Sequence, residues 1–388
     1  MKHKIQILNN ISETGLQRLP EEHYALSADE AEPEGILLRS ENLHAMDIPD
    51  SLLAVGRAGA GVNNIPLEKM TENGVVVFNA PGANANAVKE LVIAGMLMGC
   101  RNLIAAHEYV CHLEGDDEVI HRQVEAGKKR FAGFELPGRT LGVVGLGAIG
   151  VQIANAARSL GMDVVGFDPR ISIKHAWALS SDVQPVESVD ELLERSDFIT
   201  FHVPLIDSTR NLINAESLKK MKDRAVILNF ARNGIVNDEA VCDALDRGKL
   251  YSYVCDFPSN RLKAHSRVIT LPHLGASTRE AEVNCAVMVA EQMRDYLENG
   301  IIRNAVNLPD VKLARAGVAR LAILNRNVPD MIGKVSHILG ETETNIHHMV
   351  NDSRDDLAYT LIDVDSAIAE STLQKIQAIE GVLKTRVL

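Results

Sequence analysis

The sequence predicts a multidomain α/β protein built on doubly wound parallel sheet, and three observations carry that reading. Short β-rich runs alternate with helical patterns over most of the chain, a glycine-rich stretch, GLGAIG at 145–150, stands between an apolar run and a helical pattern, and a compact βαββαβ pattern runs from Val318 to the end. At 388 residues the chain exceeds one ordinary core, because domains typically hold roughly 100–200 residues.

The first elements are strands at Ile5–Leu8, Ile36–Arg39, Leu53–Arg57 and Val75–Asn79, separated by polar or helical segments, which implies a parallel layer. From Ala83 to Cys111 the pattern turns helical and passes into the charged stretch Glu114–Lys129, so a domain boundary is expected near residue 100. A second series follows, with strands expected at Thr140–Val144, Asp163–Phe167, Phe198–Phe201, Ala225–Phe230, Ser252–Cys255 and Val268–Leu271. Six strands suit a doubly wound sheet. A long helix is expected from Ser277 to Asn299, with Ser277 and Glu280 as its capping box. Behind Pro309 lies the terminal βαββαβ pattern, an expected third domain of about seventy residues. His347 and His348 adjoin on one of its strands, where alternation points them to opposite faces and makes them structural.

Composition narrows the functional class. The net charge of −12 disfavours nucleic acid, whose affinity comes from Lys and Arg neutralising phosphates, so an anionic ligand needs a local basic site. The five cysteines, Cys100, Cys111, Cys242, Cys255 and Cys285, form no CxxC pair and no zinc spacing, which points to no metal, no disulfide framework and a reduced cytoplasmic setting. No run reaches the ~18 apolar residues of a membrane span, so no membrane partner is expected.

The glycine-rich stretch has the context that gives it meaning. It follows the strand Thr140–Val144 and opens a helix whose buried face is expected to be Ile149, Ile153, Ala156 and Leu160. Gly145 permits the tight turn, Gly147 lets backbone approach a pyrophosphate, and Gly150 allows close packing of helix on strand. Asp168 ends the next strand, where a carboxylate accepts from the adenosine ribose and repels a 2′-phosphate, so NAD is favoured over NADP. Arg170, able to pair with a 2′-phosphate, is read as a solvated loop charge.

Ligands of open α/β sheets bind beyond the carboxyl ends of the strands, which directs attention to polar residues just after them. Arg232, Asp256 and His273 stand there and are expected to converge. At such an edge a histidine such as His273 can act as a proton acid/base, and an arginine such as Arg232 offers a planar cation that can fix a carboxylate.

VGRAGAGVNNI at 55–65, GLGAIG, NFARNGIVND at 229–238 and PHLGAST at 272–278 together resemble the D-isomer-specific 2-hydroxyacid dehydrogenases over essentially residues 1–300. The resemblance implies a Rossmann-type NAD domain at 99–282, inserted in a flavodoxin-like substrate domain made of 1–98 and 283–305. It implies Ala148, Ile149, Val203, Phe230, Ala231 and Gly275 as further cofactor contacts, with Asp256 near the nicotinamide carboxamide. Arg232 would bind substrate, His273 would be the acid/base, and Arg57 would contact a phosphorylated 2-hydroxy acid. A homo-oligomer, dimer or tetramer, is expected on the same ground. One departure stands out. The family pairs its histidine with a glutamate, and this chain places Asn260 there, with no acid from Phe257 to Arg279. Asparagine can hold an imidazole by a hydrogen bond but gives an imidazolium no charge, so catalysis is expected to be weaker or altered unless Asp256 substitutes.

Residues 317–388 resemble an ACT domain, which implies an amino-acid effector such as serine, contacted by Asn325, Asn327 and Asn345, with Pro329 early in a helix. Here Asp330 stands where the family often has glycine, and Asn325 replaces the histidine of some relatives. Competing expectations are a dehydrogenase of an unphosphorylated acid such as glycerate or lactate, and a non-catalytic, NAD-sensing corepressor on the same fold.

Overall fold

A computed structural model describes residues 2–388. The chain divides into two compact units, one made of 1–84 and 278–388 and the other of 85–277.

In the first unit, β1 (His3–Ile7), β2 (Tyr24–Ser27), β3 (Gly35–Leu38), β4 (Ala54–Arg57) and β5 (Val76–Phe78) form a parallel sheet in the order β2-β1-β3-β4-β5. Successive residues point to opposite faces and both faces are buried: Ala54 and Val76 enter one core, Val55 and Val77 another. That double burial is why these runs are apolar throughout. The helix Arg279–Asn299 lies on the first face, close enough that a Cβ on Gly56 would meet Val289 at 3.4 Å. Its N-cap is Thr278, whose side chain accepts from the Ala281 amide, so the expected Ser277–Glu280 capping box does not form: the cap lies one residue later, and Ala281 at the third helical position has no acceptor to complete a box.

The second unit holds β6 (Thr140–Val144), β7 (Asp163–Phe167), β8 (Gln184–Pro185), β9 (Phe198–Phe201), β10 (Ala225–Asn229), β11 (Leu250–Cys255) and β12 (Val268–Thr270). All pair in parallel, in the order β12-β11-β10-β9-β6-β7-β8, a doubly wound Rossmann-type sheet that reverses direction between β6 and β9. The helix Ala85–Arg101 belongs to this unit: a Cβ on Gly95 would meet the Phe230 ring at 2.9 Å, and one on Gly99 the Ser252 hydroxyl at 3.0 Å. This packing moves the division to residues 84/85, ahead of the position near 100 that the helical pattern suggested. The expected continuous helix to Cys111 breaks at Asn102, whose φ of 54° is left-handed.

The C-terminal segment returns to the first unit as β13 (Ala319–Arg326), β14 (Ile346–Arg354), β15 (Leu357–Val364) and β16 (Val382–Val387), an antiparallel sheet in the order β14-β15-β13-β16 with helices Met331–Glu341 and Glu370–Gln377. Leu321, Ile323, Ile362 and Val364 face those helices, while Ala322, Leu324, Tyr359 and Leu361 join the core of the five-stranded sheet. Strict alternation fails on β14. The register slips between Ile346 and His348, and the rings of His347 and His348 lie stacked, 6.5 Å apart at 24°, where opposite faces were expected.

Candidate active site

The glycine loop joins β6 to the helix Ala148–Ser159, and each glycine has its own reason. Gly145 has φ +92°, and a Cβ there would lie 2.5 Å from the His202 carbonyl oxygen. A Cβ on Gly150 would lie 1.9 Å from the Gly145 carbonyl oxygen. Gly147, the N-cap, is different: its φ of −75° and ψ of −162° suit any residue, and a Cβ would meet no protein atom within 4 Å. Space left open at a helix N-terminus, where the Ala148 and Ile149 amides begin the helix, fits a phosphate. Asp168 follows β7 and braces the loop, accepting from the Leu146 amide at 2.8 Å and the Arg170 amide at 2.8 Å. Arg170 itself is exposed.

Arg232, Asp256 and His273 follow β10, β11 and β12, three adjacent parallel strands, so all three emerge at one carboxyl edge. The loop after β10 is held by Asn229, 2% exposed, whose Oδ1 accepts from the Ala231 amide and whose amide donates to the Arg232 carbonyl at 3.0 Å. Phe230 and Ala231 are thereby buried, whereas the Arg232 side chain is exposed. The exposed His273 has φ +45°, a conformation that costs an ordinary residue about 1–2 kcal/mol, and its amide is fixed by the Asp256 carbonyl at 3.1 Å and the Leu271 carbonyl at 3.2 Å. The Phe257 ring stands 5.0 Å from the imidazole. Asn260 is exposed, and no hydrogen bond joins it to His273 among the described residues.

Asp256 is 1% exposed, and neither carboxylate oxygen meets a donor at hydrogen-bond geometry. Burial pushes its carboxyl up from the ordinary range, opposed by the His273 charge, then by the nearby Gly275 amide and the Arg232 charge. A buried acceptor left open beside this edge fits a ligand that brings an N–H donor, as a carboxamide does.

The same rule of polar residues after strands should also have drawn attention to His202, which follows β9 at the point where the sheet reverses. Its amide donates to the Val144 carbonyl at 2.7 Å and its Nε2 pairs with the Thr200 hydroxyl at 2.9 Å. Burial holds the imidazole down to about 3, so it stays neutral beside the half-buried Val203.

Arg57 ends β4 in the other unit, half-buried, with Nε donating to the Arg39 carbonyl at 2.9 Å. The three C-terminal asparagines do not meet within one chain. Asn325 is 1% exposed, donates to the Arg326 carbonyl and keeps an unpaired Oδ1, Asn327 is exposed, and Asn345 is exposed before β14. By register Asn325 pairs with Ala358 and Ile346 with Val364, so Asn345 lies about 20 Å along the sheet from Asn325 at ~3.3 Å per residue.

Residues 93–275 match the NAD binding domain of the D-isomer specific 2-hydroxyacid dehydrogenases. The D-3-phosphoglycerate dehydrogenase of Haemophilus influenzae is 34% identical over 349 residues, covering 87% of this chain and 81% of its own length. The chain belongs to the D-isomer specific 2-hydroxyacid dehydrogenase family. The enzyme of the same name from Methanocaldococcus jannaschii is 37% identical over 292 residues, 74% of this chain, and the match spans only about half, 53%, of that longer protein. Among solved structures, NAD+-bound 3-phosphoglycerate dehydrogenase from Entamoeba histolytica superposes with a TM-score of 0.60 at 25% identity, covering 79% of this chain and 99% of its own. Among the described residues there is no cluster of three or more potential metal-ligating His, Cys, Asp or Glu, all five cysteines are free, and no helix is long and apolar enough to cross a membrane.

Proposed function

We propose that this protein is a 3-phosphoglycerate dehydrogenase, oxidising 3-phospho-D-glycerate to 3-phosphohydroxypyruvate with NAD at the head of the phosphorylated route to serine. The observation that carries the reading is the placement of Arg232, Asp256 and His273 at one carboxyl edge of the sheet that also bears the glycine loop and Asp168. The kinship with enzymes so named supports the substrate.

NAD, when bound, supplies the acceptor for the hydride leaving C2 of the substrate. Gly145, Gly147, Ala148, Ile149 and Gly150 would hold its pyrophosphate and Asp168 its ribose. Val203, Phe230, Ala231, Asp256 and Gly275 would line the rest of its site. His273 takes the hydroxyl proton, Arg232 clamps the substrate carboxylate through paired N–H donors, and Arg57 contacts the phosphate. With Asn260 in place of an acid, the imidazolium formed by that transfer receives no charge from position 260.

We read the C-terminal βαββαβ unit as a regulatory module of ACT type that responds to an amino acid such as serine. Because Asn345 lies far along the sheet from Asn325, a site drawing on Asn325, Asn327 and Asn345 together requires two copies, in keeping with a homo-oligomer. The test is NADH formation by the purified protein with 3-phosphoglycerate and, separately, D-glycerate, each with and without L-serine. Phosphate-dependent turnover inhibited by serine is expected. Turnover of D-glycerate alone would move the assignment to an unphosphorylated acid, and NAD binding without turnover of either would move it to a sensor role.

A further inference from the structure

In a chain of net charge −12 an anionic ligand depends on a local basic site, and one such site stands away from the cofactor edge. A cavity of about 630 Å³ opens at the amino ends of β10, β11 and β12, whereas the glycine loop and the strand-end residues lie at the carboxyl ends. The sheet contributes Arg224, the residue before β10, Tyr251 on β11, and the run 263–269 that enters β12. The end of the helix Ala85–Arg101, the helix Leu103–Cys111 and residues 130–132 supply the rest of the lining, and all of it belongs to the second unit.

Arg130, Arg224, Lys263 and Arg267 line this cavity, and Glu108 is the only acid that does. None of the four cations is in an ion pair among the described residues, although acidic residues outnumber basic ones by 52 to 40. Their neighbours are paired: Arg261 meets Asp243 at 2.8 Å, and His265 meets Asp246 at 3.2 Å. Four cations against one acid leave an excess of three positive charges, with His265 counted neutral. Exposed cations are ordinary one at a time, but cations that share one concavity repel one another and focus a positive field within it. The two arginines are also held in place. The Arg224 guanidinium stands 4.8 Å from the centroid of the Tyr251 ring, and that of Arg130 stands 4.5 Å from the centroid of Tyr109. Stacking fixes a planar cation by its face and leaves its N–H rim to other partners. Of those rim donors only Arg130 Nε has an acceptor among the described residues, the Gly127 carbonyl at 3.4 Å.

We propose that this cavity binds a small organic anion of about three negative charges, a diphosphate or a tricarboxylate. Its volume falls within the roughly 300–1,000 Å³ of ordinary small-molecule sites. The arginine forks match the paired oxygens of phosphate or carboxylate, and Lys263 adds a point charge. The run 263–267 leads into β12, which is three residues or about 10 Å long and leads in turn to His273. A bound anion therefore sits at the far end of the strand that presents His273.

Calorimetric titration of sodium pyrophosphate, and separately of citrate, into the full chain saturated with NADH tests the proposal, because the cofactor then occupies the glycine loop. Saturable binding of one anion per chain is expected. Tighter binding of pyrophosphate identifies a diphosphate, and tighter binding of citrate a tricarboxylate. Arg224→Gln and Arg267→Gln should each weaken the binding about fivefold or more and their combination about 25-fold or more, the scale of charge-assisted hydrogen bonds at an exposed site. Arg57→Gln should leave it within about twofold, since Arg57 lies in the other unit. Pyrophosphate should raise the melting temperature of the parent and not that of the double variant, while the two proteins melt alike without it, which shows that the variant is folded. Absence of saturable binding would overturn the proposal, as would binding that Arg57→Gln abolishes and the double variant keeps. A double variant with altered subunit number and unmoved anion affinity would overturn it too, because the cations would then serve contact between copies of this chain.

Discussion

Replacing Gly147 with alanine separates what the glycine loop does for the fold from what it does for the cofactor. Gly147 caps the helix Ala148–Ser159 with φ −75° and ψ −162°, angles alanine adopts freely, and its Cβ would meet nothing within 4 Å. Alanine caps a helix less well than glycine, by roughly 0.5–1 kcal/mol, but glycine loses more entropy on folding, by about 0.4–1 kcal/mol. These oppose each other, so the stability of the cofactor-free protein should change by no more than ~0.5 kcal/mol. The same methyl would stand in the space proposed for the pyrophosphate. Forcing one extra methyl into a close-packed contact costs about 1–3 kcal/mol, which weakens NAD by about 5- to 150-fold. Calorimetric titration with NAD and thermal unfolding without it measure the two effects on one variant. Unchanged NAD affinity in a folded variant would refute the placement of the pyrophosphate, and a melting temperature lower by several degrees would refute the claim that Gly147 is free of fold constraints.

Three further outcomes follow from the same kind of reasoning. Asp363→Ala strands the wholly buried Arg320, which now bonds it through Nε at 2.6 Å and Nη2 at 2.8 Å, so urea unfolding should show a loss of about 3–5 kcal/mol, whereas Arg320→Met combined with Asp363→Leu should fall within ~1 kcal/mol of the parent. Burial raises the Asp363 carboxyl, but the Arg320 bonds and the Ala316 amide outweigh it and hold it below the ordinary range. Its stabilisation is therefore complete above the unfolded value of ~4 and lost as pH falls through the depressed folded one, so circular dichroism should show acid unfolding that the apolar double variant shifts to lower pH. Asp168→Ala removes the acceptor of the Leu146 and Arg170 amides and the proposed ribose partner, so the ratio of NAD to NADP affinity should fall by about tenfold or more, on the scale of ~1.4 kcal/mol for one charged contact.

Much of this arrangement is legible in the sequence, and where it is not the cause is physical. Interior parallel strands buried on both faces are apolar, so β3, β4, β6, β7 and β9 to β11 announce themselves, and the glycine loop is legible because backbone–backbone approach excludes every other residue at Gly145 and Gly150. The edge strands β2 and β8 lack that signature. β2 is buried at Tyr24 but exposed at Ala25 and Ser27, and β8 is two exposed residues, Gln184 and Pro185, so neither stands out from a loop. The break at Asn102 is set by a distant partner, the Tyr251 hydroxyl, which accepts from its side-chain amide at 2.7 Å. At the candidate site, the strand-end positions of Arg232 and His273 are legible in the sequence, and that of His202 was within reach of the same rule. The buried, unpartnered state of Asp256 was not, because burial of a single carboxylate is a property of its neighbours in space.

The C-terminal sheet shows the largest gap between local pattern and final structure. Its strands and helices follow from alternation and periodicity, but the destination of its second face does not. Ala322, Leu324, Tyr359 and Leu361 bury that face in the core of the first unit, beside the helix Arg279–Asn299. The last carbonyls of a helix have no partner within it, and they carry the negative end of its dipole. Here Arg386 donates to the carbonyls of Tyr296 and Leu297, Arg320 to that of Asn299, and the Tyr359 hydroxyl to that of Gly300. Four terminal carbonyls thus accept from three side chains of the C-terminal sheet, that of Tyr296 in addition to accepting from the Gly300 amide, and two of the three side chains are cations placed where the dipole favours positive charge. Gly300, at φ +68°, leaves no room for a side chain, since a Cβ would meet Leu361 and Leu388 at 2.9 Å. The helix that begins just after the His273 loop is therefore completed at its far end by residues whose local sequence looks like a separate module. Removing or displacing that sheet would uncover apolar core and uncap the helix together, so its stability cannot be independent of the unit it closes.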